Sequence, residues 1–276
     1  MPEFLAIHQS DSSLLGCVLR ARAARLALGD GEPAAGMGYF QSDDVLLRKR
    51  PVPVKQSALP EALAEGVESE AVLICAGSIQ GAGGPSRGFQ EEATLPLRFR
   101  RWLFALAGRP DLLLPARAAL LGTLPDYLKR SARGDSAGES LFLLYLSRLR
   151  DLGRLDDPDL DAPGAAKALA AAVGEAERAL EAQGAPRPPL AVVASNGRVL
   201  VALRRGHPLS VSAVDGLDTC GRHEVGPGMS AHNPALRAHR ALKARLLLSG
   251  EAPEGFVAVP EGGIIAIERD LTVSTL

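Results

Sequence analysis

The chain is poor in the residues that announce specialised chemistry. Cysteine occurs three times in 276 residues, at Cys17, Cys75 and Cys220. The odd count excludes a fully paired disulfide framework, the absence of Cys-x-x-Cys pairs removes the usual zinc spacing, and both suit a reducing cytoplasm. Aromatic residues make up 4% of the chain, too few to interleave with basic side chains as a base-stacking platform. Neither sign of charge dominates: the formal net charge is −1, which leaves no global field to gather nucleic acid or an anionic membrane. The cluster Arg98, Arg100 and Arg101 reads as a solvated edge. Long apolar runs are missing as well, since segments such as Leu112-Leu113-Leu114 break well short of the roughly 20 residues a membrane span requires. The opening residues show no basic stretch, apolar core and small-residue cleavage site, so no secretion signal is expected. These absences point to a soluble cytoplasmic protein with neither nucleic acid nor membrane as partner.

What remains is an ordinary globular composition, 46% apolar and 23% charged, enough for a sizeable core. One domain over residues 1–276 is expected, with a helical connector at about 156–186. Apolar runs predict strands at 4–7, 72–75, 102–105, 256–259 and 264–267, and a hairpin over 37–47 turning at Ser42-Asp43-Asp44. Pro51 and Pro53 should end that hairpin, because proline has no ladder donor. Residues 29–36 read as a glycine-rich loop. Asn196-Gly197 between apolar runs at 190–194 and 199–203 is a strong hairpin signal. Helical patterning covers 14–28, 112–128, 140–152, 165–183 and about 234–248. Strands in hairpins interrupted by a helical block suggest an α+β layered fold.

Several motifs then arrive in a telling order. Ala35-Gly36-Met37-Gly38-Tyr39 is followed by a strand ending near Gly77-Ser78-Ile79. Next come Thr94-Leu95-Pro96-Leu97 and Arg101-Trp102-Leu103-Phe104-Ala105-Leu106-Ala107-Gly108, then Gly134-Asp135-Ser136-Ala137-Gly138-Glu139-Ser140-Leu141-Phe142, and finally Val192 to Arg198. This series resembles the class II glutamine amidotransferases, whose corresponding runs include threonine-histidine-proline-phenylalanine, tryptophan-x-phenylalanine-alanine-histidine-asparagine-glycine and glycine-aspartate-threonine-aspartate-serine-glutamate-alanine-leucine-phenylalanine. The resemblance implies the N-terminal-nucleophile hydrolase fold, a four-layer αββα sandwich of two antiparallel sheets.

It also implies a chemistry with definite requirements. In that family an N-terminal cysteine thiol attacks the glutamine side-chain amide, with its own α-amine as base. An asparagine side chain and the next glycine's backbone hold the oxyanion. An arginine grips the substrate carboxylate and an aspartate its amino group. At the matching positions this chain has Pro2, Ala107, Gly77 and Ala137, with only Gly108 kept. The framework residues Trp102, Phe104, Leu141 and Phe142 survive. The expectation is therefore a degenerate site with no catalytic residues. The protein would be a pseudo-glutaminase that binds, scaffolds or regulates another protein, or holds a small ligand in its vestigial pocket, with no cofactor and no metal. Leu95, Leu97 and Leu106 could fill that pocket from within.

Other readings of the same residues are weaker. A Pro2 amine freed of methionine could serve as a base or form an iminium, giving an enzyme of altered chemistry; a γ-glutamyl or amide hydrolase is a further alternative. Gly81-Ala82-Gly83-Gly84 lacks the lysine-serine or lysine-threonine pair of a phosphate cradle and reads as a mobile loop rimming the pocket. Cys220, His223, His232 and His239 share one stretch, but Pro234 starts a helix after His232 and the spacings match no standard zinc pattern. A solvated basic helix carrying His239 is the simpler expectation, and Cys17 and Cys75 read as packing residues.

Overall fold

Strand β1 (Glu3–Gln9) carries apolar side chains on both faces and lies near the middle of a seven-stranded sheet. Phe4 and Ala6 enter one hydrophobic core, while Leu5 and Ile7 enter another on the opposite face. The computed structural model describes residues 2–22, 34–42, 44–51, 59–79 and 89–276. After β1 come α1 (Leu15–Arg22), β2 (Ala34–Gln41), β3 (Asp44–Pro51), α2 (Leu59–Leu63), β4 (Ala71–Ala76), β5 (Leu97–Phe99) and β6 (Trp102–Gly108). A helical block follows: α3 (Arg117–Thr123), α4 (Asp126–Lys129), α5 (Ala137–Asp151) and α6 (Ala162–Glu181). The chain closes with β7 (Leu190–Ser195), β8 (Leu200–Arg205), β9 (Leu209–Asp215), α7 (Pro234–Ala241), β10 (Lys243–Ser249), β11 (Val257–Ala258), β12 (Ile264–Ile267) and β13 (Val273–Thr275).

The strands form two sheets, in the orders β11-β9-β10-β1-β4-β2-β3 and β13-β12-β8-β7-β6-β5. Every ladder in them is antiparallel. One core fills the space between the sheets and the ground beneath α5 and α6. The other lies between the first sheet and α1, α2 and α7. The result is a four-layer αββα sandwich of two antiparallel sheets, the architecture the resemblance implies. Among the described residues, no helix is long and apolar enough to cross a membrane.

Several local expectations change. Residues 112–128 do not form one helix; a 3-10 turn (Pro110–Ala116) leads into α3, and α4 follows separately. Pro115 and Pro125 interrupt the run because each lacks the N–H that a continuous helix would use. The helix expected over 234–248 ends at Ala241, and Lys243–Ser249 is a strand instead. Its Leu246-Leu247-Leu248 run sits between β9 and β1 with both faces covered, where apolar periodicity alone does not separate helix from strand. Ala34, Ala35 and Gly36, read as loop, begin β2, and the rest of that loop lies outside the described residues. Residues 23–28 of the first predicted helix, Asp43 of the predicted turn, Pro53 and the glycine run at 81–84 also lie outside them. The Asn196-Gly197 turn does join β7 to β8, but with positive φ at Gly197 alone. Asn196 Oδ1 holds the turn by accepting from the backbone N–H groups of Arg198 and Val199, each at 2.9 Å.

A buried histidine on β1 sets an acid limit on stability. His8 is 1% exposed, and its Nδ1 has no hydrogen-bond partner. Burial first, then the nearby Arg269 guanidinium, lower its pKa from 6.5 to about 4. Between those values the unfolded chain takes up a proton that the folded chain refuses, so stability falls as pH falls. The loss attributable to this group reaches about 3 kcal/mol near pH 4 and grows no further below it. Denaturant titrations of the native chain and His8→Gln at neutral and acidic pH measure this difference. Equal acid sensitivity of the two chains would refute it.

Candidate functional site

Four segments carry the five family-matched positions. Pro2 is buried just before β1, and the β1–β4 ladder sets Glu3 opposite Ala76, so Pro2 lies beside Gly77. Gly77 has φ +91°, its N–H donates to the Ala34 carbonyl at 2.8 Å, and a Cβ built on it would stand 2.9 Å from Pro2 Cα. At the end of β6, Leu106 reaches the first turn of α5, where a Cβ on Gly138 would be 3.1 Å from Leu106 Cδ2 and 3.4 Å from Ile79 Cγ2. Ala107 and Gly108 flank Leu106, Ala137 precedes Gly138, and Ile79 follows Gly77 by two residues. Ala107, Ala137, Leu106, Ile79 and Leu95 are all buried in the core between the sheets and beneath α5, and Leu97 joins them. None of the five positions offers a nucleophile, a charge or a side-chain hydrogen bond.

The family-matched framework residues around them are held by packing. Trp102 meets Tyr145 edge-on with ring centroids 5.3 Å apart, and Phe104 stacks on Phe142 at 4.9 Å. Trp102 Nε1–H donates to the Leu155 carbonyl at 3.0 Å. Ser136 caps α5, its Oγ accepting from Glu139 N–H, and the Glu139 carboxylate accepts from the N–H groups of Arg133 and Gly134, both at 2.8 Å. The run from Gly134 to Phe142 thus has a structural task at the start of α5, independent of any substrate.

One titratable neighbour escaped the sequence reading. A Cβ at Gly108 would lie 3.1 Å from His207 Cγ, and the half-buried His207 keeps Nε2 out of solvent with no partner. Burial, followed by the Arg204 guanidinium, holds its pKa below the usual histidine value. Nothing in the spacing of the loop between β8 and β9 signals this approach to β6.

A polar groove of about 870 Å³ opens elsewhere, between β3, β5 and the start of α5. Lys49, Arg98, Arg100, Arg130 and Arg133 line it with Glu91, Glu92 and the edge of Phe142. Arg98 and Arg100 are exposed, as a solvated edge requires, and Arg100 pairs with Asp156. Lys49 donates to the Glu91 carbonyl at 2.9 Å, and burial lowers its pKa despite the neighbouring Glu91 charge.

The cysteine–histidine stretch differs most from expectation. His239 is 1% exposed rather than solvated, and His232 stands apart from its companions. Cys17, buried in the outer core as a packing residue should be, also joins Cys220, His223 and His239 in a group whose ligand-type atoms all lie within 4.8 Å of one another. Burial and the hydrogen bond to Cys220 push the Cys17 thiol up to about 12. Burial opposes ionisation of Cys220 too, but its hydrogen bonding with the Cys17 side chain and the His223 backbone brings it down to about 7. Cys75 remains a buried core residue whose pKa burial raises.

No family model and no curated protein matches the chain. Solved structures do. A glutamine aminotransferase class-II domain protein from Silicibacter pomeroyi is 19% identical, with a TM-score of 0.59 over 99% of this chain and 98% of that one. A protein described as a predicted glutamine amidotransferase from Pseudomonas aeruginosa is 14% identical, with a TM-score of 0.51 over 99% and 95%. The glutamine phosphoribosylpyrophosphate amidotransferase of B. subtilis is 11% identical with a TM-score of 0.50, and this chain spans about half of it, 48%. At such identities the likeness establishes the fold and leaves the activity to the residues of the site.

Proposed function

We propose that this chain, whose fold is that of the class II glutamine amidotransferases, has kept the architecture without the glutaminase chemistry. It acts as a binding, scaffolding or regulatory partner of another protein. The observation that carries this reading is the contact of Pro2 with Gly77. The position that would present a thiol holds a buried proline. The position that would grip a substrate carboxylate is a glycine on whose left-handed backbone any larger side chain would press into that proline. Ala107 and Ala137 supply neither an oxyanion donor nor an acid to meet a substrate amine, and Leu106 and Ile79 pack against Gly138 in the first turn of α5. Loss of a nucleophile alone costs on the order of 10⁶ in rate, and loss of an oxyanion donor roughly 10² to 10³ more. The arginine-lined groove between β3 and α5 leaves a concave polar surface for binding that does not depend on the glutaminase positions.

The purified protein, incubated with glutamine and with γ-glutamyl compounds, is expected to release ammonia and glutamate no faster than a heat-killed control. Turnover well above that control would overturn the reading. Co-purification from the native cell should recover a partner protein.

A further inference from the structure

We propose that Cys17, Cys220, His223 and His239 form a tetrahedral site for a zinc ion that ties the outer helical layer together. The site lies on the opposite face of the first sheet from the second sheet and does not depend on the fate of the glutaminase positions. Its donors come from three separate places: Cys17 from α1, Cys220 and His223 from the loop after β9, and His239 from α7. Their separations are those of ligands gathered around one small cation. Zinc–sulfur bonds near 2.3 Å and zinc–nitrogen bonds near 2.0 to 2.1 Å at tetrahedral angles put two nitrogens about 3.3 Å apart, sulfur and nitrogen about 3.6 Å, and two sulfurs about 3.8 Å. His223 Nδ1 lies 3.2 Å from His239 Nε2. It lies 3.3 Å from Cys17 Sγ and 3.9 Å from Cys220 Sγ, and the two sulfurs are 3.3 Å apart. The sulfurs are not bonded, since a disulfide would hold them near 2.05 Å.

The surroundings prepare the donors for a metal. His239 Nδ1 lies 2.7 Å from the Ala235 carbonyl, so that nitrogen carries the ring proton and Nε2 presents its lone pair to the group. Cys220 and His223 sit on a tight loop closed by paired backbone bonds between Cys220 and Val225, at 2.8 and 3.0 Å. That loop presents a thiol and an imidazole three residues apart to the same point. Two thiolates neutralise the charge of a divalent cation, and binding would release the two thiol protons to solvent. Thiolate with imidazole in a closed set of four is the donor chemistry of structural zinc, with no open position for a substrate. His223 is exposed, which supplies an entry path for the ion.

The test uses the full chain, purified without a histidine tag and under reducing conditions. Elemental analysis after gel filtration is expected to find about one equivalent of zinc per chain, the stoichiometry of a single closed site. Replacement of zinc by cobalt(II) should give the visible bands of a tetrahedral centre and sulfur-to-cobalt charge-transfer absorption. Cys17→Ser and His239→Gln should each weaken metal binding by roughly a hundredfold or more, while Cys75→Ala, outside the group, leaves stoichiometry and spectrum intact. Native chain that is folded by circular dichroism yet neither carries zinc nor develops the cobalt spectrum would overturn the proposal. So would a metal other than zinc bound stoichiometrically at these residues, or a cobalt spectrum unchanged in Cys17→Ser.

Discussion

Gly108→Ala is expected to destabilise the fold by about 4 kcal/mol, read as a fall in the denaturant midpoint. Gly108 ends β6 with φ +94°, a conformation that costs a residue with a Cβ about 1–3 kcal/mol. The added methyl would also overlap the Pro189 carbonyl oxygen and crowd the His207 ring. That carbonyl is fixed in place, because it accepts from Arg109 N–H at 2.9 Å just beyond the strand. Relieving the overlap means moving backbone, a strain of about 1–3 kcal/mol more. Gly122→Ala is the matched control: it lies in α3 with nothing within 4 Å of an added Cβ, and it should be neutral or slightly stabilising. A midpoint for Gly108→Ala equal to that of Gly122→Ala would refute the argument. The result matters beyond stability. Gly108 is the one family-matched chemical position the chain retains, and its retention follows from chain geometry alone. It therefore carries no weight as a sign of surviving catalysis.

The same distinction separates what could be read along the chain from what could not. Strands with both faces covered, such as β1, β4 and β6, declare themselves as continuous apolar runs, and the aromatic residues Trp102, Phe104 and Phe142 could be placed by motif order. Their signals are local. Leu246 to Leu248 defeated local reading because an apolar triplet suits a helix face and a central strand equally, and only its two neighbouring strands decide. Strand β9 extends the first sheet from a Ser-Val-Ser-Ala-Val run whose alternation is visible but short. The cysteine–histidine group was the hardest to foresee. Cys17 and Cys220 are 203 residues apart, so no spacing rule links them, and His239 looks solvated on a basic helix until α7 is laid against α1. The family-matched positions lie between these cases: each residue could be assigned by motif, but the packing of Leu106 and Ile79 against Gly138 is a tertiary fact.

Restoring the family's asparagine at one of those positions should fail, and by a large margin. Ala107→Asn is expected to cost about 4 kcal/mol of stability, and the double variant with Pro2→Cys should still release no ammonia from glutamine above background. Along β6, Trp102, Phe104 and Leu106 turn toward α5, so Leu103, Ala105 and Ala107 turn toward the first sheet. Leu103 shows how close that sheet is, since a Cβ on Gly38 would stand 2.6 Å from its Cδ2. Ala107 is fully buried, and its partner across the ladder to β7 is Ala191, which offers no side-chain hydrogen bond. An asparagine there adds volume to a filled interior, at about 1–3 kcal/mol. Its amide would be buried short of partners, at about 1–3 kcal/mol again. An enzyme that had lost only its nucleophile would behave differently. Its oxyanion pocket would remain open and wet, the asparagine would be tolerated to within about 1 kcal/mol, and the new thiol would recover turnover. Denaturation of the single variant and an ammonia assay of the double one separate a site that has been repacked from one that is merely missing a sulfur.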